Sequence, residues 1–296
     1  MDAPETGERA LSVGAYPLLV IFHLFPLHAP ITLWLMDAPF GKFSWDSVLN
    51  LPAGIAWAVM ECVSPAVFFA TLKRLVPLDS LSWRTWILIG CYSVHYFHRA
   101  LLSPLYLAPK RAPLHLVVVL AAFIFNGLNG SLLAYQFAQL QPRTGLLYWA
   151  GIALWALGFY GNVYHDELLH DLRRPPEQRR VSKSKAKPQK YAVPHGGLFE
   201  YISFPNYFCE WLEWSGFALA AGPLLVPVPP LSSMGRYALR LTPLGKLWPT
   251  HLLAPAWAFV LAEVTSMLPR ALRGHAWYRR TFDYPPRRKA AIPFIL

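Results

Sequence analysis

Seven apolar runs decide what this chain can fold into; they lie at roughly 11–36, 49–72, 80–100, 114–137, 146–165, 201–225 and 249–269. A helical run of about twenty residues, at about 1.5 Å per residue, matches the hydrocarbon thickness of a lipid bilayer. Lipid offers no partner to a backbone N–H or C=O, so a segment of this kind must pair those groups internally, as a helix does. The expectation is an all-α fold, an integral membrane bundle of seven transmembrane helices, with residues 1–296 forming one domain. Composition agrees, since 55% hydrophobic and 15% charged residues is too apolar for an ordinary soluble domain. The opening MDAPETGERA carries three acids and one arginine, so it lacks the basic start of a secretory leader and no cleavage is expected.

The net charge of +11 would suit a nucleic-acid partner in a soluble protein. Here the Lys and Arg residues flank the apolar runs, and orientation in the bilayer explains them without nucleic acid. If all seven runs cross, eight basic residues fall on the N-terminal side and nineteen on the other, which places the C-terminus in the cytosol. Residues 175–190, PPEQRRVSKSKAKPQK, have no apolar periodicity and read as a mobile linker or a surface for anionic headgroups. Cys62, Cys91 and Cys209 have neither disulfide nor metal-ligand spacing and read as buried thiols.

Polar groups embedded in the apolar runs are costly and mark sites by default. From Asn206, steps of four and three reach Glu210 and Glu213, so an amide and two carboxyls share one helical face. The preceding Gly196-Gly197 pair suits a close backbone approach to a ligand. Glu61 stands alone in WAVMECVSP; a carboxylic acid that keeps its proton there can donate a hydrogen bond. HYFHR puts Tyr96 and Arg99 three apart, with His95 and His98 beside them. In GNVYHDELLHDLRR, Asn162, Asp166 and Arg173 offer an amide, a carboxylate and a guanidinium, a set that fits an amide, a ribose and a phosphate. Asn126 and Asn129 read as helix-to-helix hydrogen bonds. His165 and His170 are five apart, not the spacing of a metal-binding pair, so no metal is expected. Neither a GxGxxG after a strand nor a GxxxxGK[ST] is present, so membrane helices and cytosolic loops would have to hold any nucleotide.

Three stretches, GNVYHDELLHDLR, YAVPHGGLFEYISFPNYFCEWLEW and HAWYRRTFDYPPRRKAAIPFIL, resemble the C-terminal signature blocks of the steroid 5α-reductase family, and HYFHR resembles its third-span motif. The resemblance implies NADPH-dependent reduction of the Δ4 double bond of a 3-oxo-Δ4-steroid. It assigns Glu61 and Tyr96 to the substrate's C3 carbonyl. It assigns Asn162, Asp166, Arg173, Tyr191, Asn206, Glu210, His275 and Tyr278 to the cofactor, with Arg99 a further candidate. It also implies the endoplasmic reticulum membrane in a eukaryote and the inner membrane in a bacterium.

The chain departs from the family pattern in several places. Met60 stands where the steroid enzymes often carry Gln, FDYP shortens an FEDYP-like run, and the segments before Tyr191 and from Pro223 to Pro249 are long. Two other readings stay open: a superfamily relative that reduces polyprenol or a long-chain enoyl-CoA, and a non-enzymatic sterol-binding membrane protein. Asn206 within FPNYFCEWLEW favours the steroid branch.

Overall fold

A computed structural model describes residues 11–34, 39–108, 112–189, 191–228 and 249–296. The N-terminal decapeptide, the end of the first apolar run, Lys110, Arg111 and Lys190 lie outside the described residues. So does most of the long Pro-rich segment, with Arg236, Arg240 and Lys246.

Each of the seven apolar runs is helical. The first is broken: α1 (Ala15–Leu24) gives way to a single 3₁₀ turn, Phe25–His28, and then to α2 (Ala29–Trp34). Pro26 lacks the N–H that an uninterrupted helix needs at that point. The others are α3 (Ala53–Leu75), α4 (Trp83–Tyr96), α5 (Leu116–Gln139), α6 (Gly145–Asp171), α7 (Pro205–Ala221) and α8 (Pro255–Thr281). Local chemistry sets their ends. The Ser82 hydroxyl accepts the Thr85 N–H at 3.2 Å and caps α4. Pro205 and Pro255 occupy first helical positions, where a missing donor costs nothing. Val76, which precedes Pro77, is extended and stops α3.

Beyond Tyr96, α4 continues as a π-helix over Phe97–Leu107, with Pro104 inside it. Wider turns of this kind re-aim side chains and gather at functional sites. Two short antiparallel ladders are added to the expected all-α fold. In one, β1 (Asn50–Leu51) pairs with β2 (Leu114–His115), Asn50 opposite His115; in the other, β3 (Leu225–Pro227) pairs with β4 (His251–Leu253). Each ties the entrance of one long helix to a distant segment.

Among the described residues, α3, α5 and α6 are long and apolar enough to cross a membrane, which marks the chain as a membrane protein. The α6–α7 pair packs most tightly. A Cβ on Gly158 of α6 would lie 2.3 Å from the Glu213 backbone nitrogen, so only glycine permits this approach. The principal core surrounds Trp214, with Tyr92, Phe217 and Phe259 packed about it. Cys91 and Cys209 are buried and Cys62 half-buried, all unbridged.

The C-terminal segment returns to the bundle, as its mixed aromatic and apolar sequence leads one to expect. Ser203 and Phe204 donate their N–H groups to the Lys289 and Ala290 carbonyls at 2.9 and 3.0 Å. The basic stretch after α6, read as mobile or as a surface for anionic headgroups, is tied down at both ends. Asp171 accepts the N–H groups of Arg180, Val181 and Ser182 at 2.8 to 3.1 Å. Farther along, the Gln189 N–H reaches the Leu172 carbonyl at 2.8 Å.

Candidate active site

The polar residues singled out on α6 and α7 meet because Gly158 lets those helices touch. The Asn162 amide donates to the Asn206 carbonyl at 3.0 Å and to Glu210 Oε2 at 3.1 Å. The Asn206 amide donates to Asp166 Oδ1 at 3.0 Å. From the π segment of α4, Arg99 reaches across to Asp166 Oδ2 at 3.6 Å and Glu210 Oε2 at 3.5 Å. A guanidinium thus bridges two carboxylates from different helices, each already held by an asparagine amide. Trp57 of α3 lies under the same guanidinium, its ring centroid 5.4 Å from Cζ.

This network forms one wall of a cavity of about 530 Å³, within the range of small-molecule sites. Arg99, Asp166, Arg173, Tyr191, Asn206 and Tyr278 all line it, together with Phe40 and Arg270. The Arg173 guanidinium sits 5.9 Å from the Tyr191 ring. Arg270 stacks on Phe40 at 3.6 Å and donates to its carbonyl at 3.0 Å, pinning the loop before α3 beside the cavity. Asn162 and Glu210 stand behind the lining. His275 also does: its Nδ1 is 2.6 Å from Ser203 Oγ, which in turn contacts the Tyr284 hydroxyl at 2.7 Å, and Tyr284 stacks on Tyr278.

Tyr96, the last residue before the π segment, is buried. The Asn129 amide points at its hydroxyl from 3.4 Å and at Ser64 Oγ from 3.5 Å, while Ser64 pairs with Tyr92 at 2.8 Å. Asn126 donates to the Met60 carbonyl at 2.8 Å, next to Glu61. Both asparagines therefore link α5 to its neighbours, as expected. Glu61 is half-buried on α3, within electrostatic range of Tyr92, Tyr96 and Arg99.

The Gly196-Gly197 pair packs against α6. Both residues have positive φ, and a Cβ on Gly197 would come within 2.6 Å of His165 Nε2. The close approach among the described residues is to the α6 histidine, which also accepts the Leu198 N–H at 3.0 Å. After this turn, the Gly196 N–H binds Glu200 at 2.8 Å and holds that carboxyl below its ordinary range, aided by Arg288 and His195 and opposed by partial burial.

Three features escape the sequence reading. The fully buried Glu213 pairs with His95 Nδ1 at 2.6 Å, and nothing in HYFHR marks that histidine over its neighbour. Arg270 is hidden among the basic residues that close α8. Glu263 of α8 lies within electrostatic range of Glu61, Glu210, Glu213 and Arg99. The reasoning that singled out Glu61, a lone acid in an apolar run, applies to it equally. Among the described residues, no three His, Cys, Asp or Glu side chains gather as a metal-ligand set.

Among the buried atoms that lack a protein partner are the Oδ1 of Asn206, a residue of the cavity lining, and the Oδ1 of Asn129 beside Tyr96. An orphaned amide oxygen, cavity guanidinium groups and flanking tyrosines fit a ligand that carries amide donors, phosphates and an aromatic ring. That is the make-up of a nicotinamide nucleotide.

Known proteins resemble this chain along most of its length. The family model described as 3-oxo-5-alpha-steroid 4-dehydrogenase matches residues 112–225 and 248–296. An uncharacterized protein of Schizosaccharomyces pombe is 35% identical over 90% of this chain and 94% of its own length. The 3-oxo-5-alpha-steroid 4-dehydrogenase 1 of Bos taurus is 33% identical over 100% of this chain and 97% of its own. The steroid 5-alpha-reductase DET2 of Arabidopsis thaliana is 29% identical, covering 95% of each. With relatives aligned along nearly their full length and a family model spanning more than half of the chain, this protein belongs to the 3-oxo-5-alpha-steroid 4-dehydrogenase family of oxidoreductases.

Proposed function

We propose that the protein uses NADPH to reduce the Δ4 double bond of 3-oxo-Δ4-steroids to the 5α product. The observation that carries the reading is the Asn162–Glu210–Arg99–Asp166–Asn206 network, in which Asn206 keeps one buried oxygen without a protein partner and lines the cavity together with Arg99, Asp166 and Arg173. Asn206 and the network behind it hold the nicotinamide end, Tyr191 and Tyr278 flank the nucleotide, and Arg173 takes a phosphate. His275 supports Tyr278 through Ser203 and Tyr284.

The bound dinucleotide supplies the hydride that reaches C5 of the substrate. Negative charge then grows on the C3 oxygen, and donors already aimed at that oxygen lower the barrier. Tyr96 donates a hydrogen bond to that oxygen, its hydroxyl approached by Asn129, and a solvent-derived proton completes the reduction at C4. Glu61 donates as the neutral acid. The dry, aromatic surroundings of Tyr96 keep water from competing for these bonds.

The same reading takes all seven helical runs as crossings, with the cavity mouth and C-terminus in the cytosol, supported by the nineteen-to-eight split of basic residues. In a eukaryote this membrane is the endoplasmic reticulum; in a bacterium it is the inner membrane. The test is the full-length protein in lipid vesicles with NADPH and a panel of 3-oxo-Δ4-steroids, following absorbance at 340 nm and identifying the product. Oxidation of NADPH with formation of a 5α-steroid is expected. Steroid-independent oxidation, or none across the panel while NADPH still binds, would overturn the assignment.

A further inference from the structure

Residues 255–269 read PAWAFVLAEVTSMLP, and Glu263 is the one charged side chain in that stretch. A carboxyl there is costly to insert, and such groups mark sites by default. One turn before it, Phe259 sets its ring edge-on to Trp214 at 4.7 Å; one turn after it, Met267 packs in the cluster that holds Trp211. Residues four apart share a helical face. Glu263 is therefore turned toward the stretch of α7 that bears Glu210 and Glu213. The electrostatics agree, since Glu263 interacts with Glu210, Glu61, Arg99 and Glu213, and Tyr96 feels both Glu61 and Glu263.

The charges around Glu263 are matched to other groups. Arg99 serves Asp166 and Glu210, and His95 serves Glu213. Among the described residues, none gives Glu263 a hydrogen bond or an ion pair. Its side chain is half-buried, and the adjacent Ala262 is fully enclosed. The wholly buried Glu213 Oε2, and Asn129 Oδ1 beside Tyr96, also lack protein partners. The interior that faces Glu61 and Tyr96 thus holds more hydrogen-bonding capacity than the protein itself satisfies.

We propose that Glu263 is a specificity-determining residue of the reduction read above: from the α8 wall its carboxyl hydrogen-bonds a polar substituent on the substrate ring that carries the enone. The inference rests on the steroid reading and adds a preference within it. A ring with such a substituent pairs with the carboxyl. A bare hydrocarbon ring strips the carboxyl of water and leaves it unpaired, a mismatch that polar sites reject strongly.

The test uses the full-length protein in lipid nanodiscs with NADP⁺, and equilibrium dialysis of a matched pair of labelled 3-oxo-Δ4-steroids, one with and one without a hydroxyl on the enone ring. Wild type is expected to bind the hydroxylated steroid about tenfold or more tightly than its partner. E263L should lose that ratio and E263Q keep part of it, both with wild-type NADPH affinity. Should E263L fail to bind NADPH, the nearly isosteric E263Q alone decides. An equal ratio in wild type and E263Q, or no preference in wild type, overturns the proposal. Turnover is followed separately: discrimination in binding without reduction of either steroid overturns the proposed activity and leaves Glu263 as the selector of a steroid-binding site. A wild type that binds neither steroid overturns both.

Discussion

Asn206 turns its amide nitrogen onto Asp166 Oδ1 at 3.0 Å while its amide oxygen, buried on the cavity wall, meets no protein donor. One side chain is thus fixed by the protein at one end and, in the proposed reading, offered to the nicotinamide at the other. Removing it also strips Asp166 of a donor and leaves Arg99 to carry the network. Asn206→Ala should weaken NADPH binding by about tenfold to a hundredfold, one or two lost buried hydrogen bonds at about 1 to 3 kcal/mol each. Fluorescence titration of NADPH measures it, and unchanged affinity would remove Asn206 from the site.

On the proposed function, Tyr96→Phe and Glu61→Ala each delete one donor to the substrate carbonyl. Each should lower turnover about a hundredfold or more, as loss of an oxyanion-hole donor does, with NADPH affinity near wild type. Glu61→Gln separates two roles, since the amide keeps a donor but holds no acidic proton. Retained activity in Gln assigns Glu61 as a hydrogen-bond donor; a variant as slow as Ala assigns it acid chemistry. An active Ala variant excludes Glu61 from the site.

The His95–Glu213 pair links α4 to α7 at 2.6 Å with both side chains enclosed. Taking one partner from a buried hydrogen-bonded pair strands the other, at a cost of about 1 to 3 kcal/mol. His95→Ala should lower the unfolding midpoint in detergent markedly, and the double replacement with Glu213→Leu should restore part of it. A purely additive double variant would show that the two residues do not act as a pair.

How these pairings could be read beforehand differs from one to the next. Asn162 with Asp166, and Asn206 with Glu210, repeat at helical spacing, so each pair announces a shared face. The contact between the two faces depends on Gly158 meeting the Glu213 backbone, and nothing local says which helix that glycine will touch. Tyr96 and Arg99 are three apart in sequence, yet the π segment that begins between them sends one to Asn129 and the other to Asp166. The seven apolar runs locate the helices well, because bilayer thickness and backbone pairing leave little choice. The two short ladders have no such driving pattern in two or three residues. His275 shares a block with Tyr278, but which of them faces the cavity is set by Ser203 and Tyr284 from other segments.

Glu200 gives a dependence on pH outside the membrane. Its carboxyl is held below the ordinary value by the Gly196 N–H, with Arg288 and His195 beside it. A depressed carboxyl contributes stability above its unfolded value of about 4.3 and loses that contribution as pH falls through the folded value. The side chain is 43% exposed, so the contribution is screened to about 1 kcal/mol or less. Glu200→Gln should unfold at slightly lower temperature than wild type at neutral pH, and the gap should close in acid. A gap that is constant across pH would assign the effect to shape and not to charge.

The Asp171 carboxylate, with three consecutive backbone N–H groups gathered on it, fastens one end of the basic loop, and the Gln189 bond to Leu172 fastens the other. Residues between those two fastenings can change in number without moving Arg173 or Tyr191, because lengthening an anchored loop costs only a slowly growing closure entropy. The loop is thus a point at which the chain can vary in length from one relative to another while the cavity it borders keeps its shape.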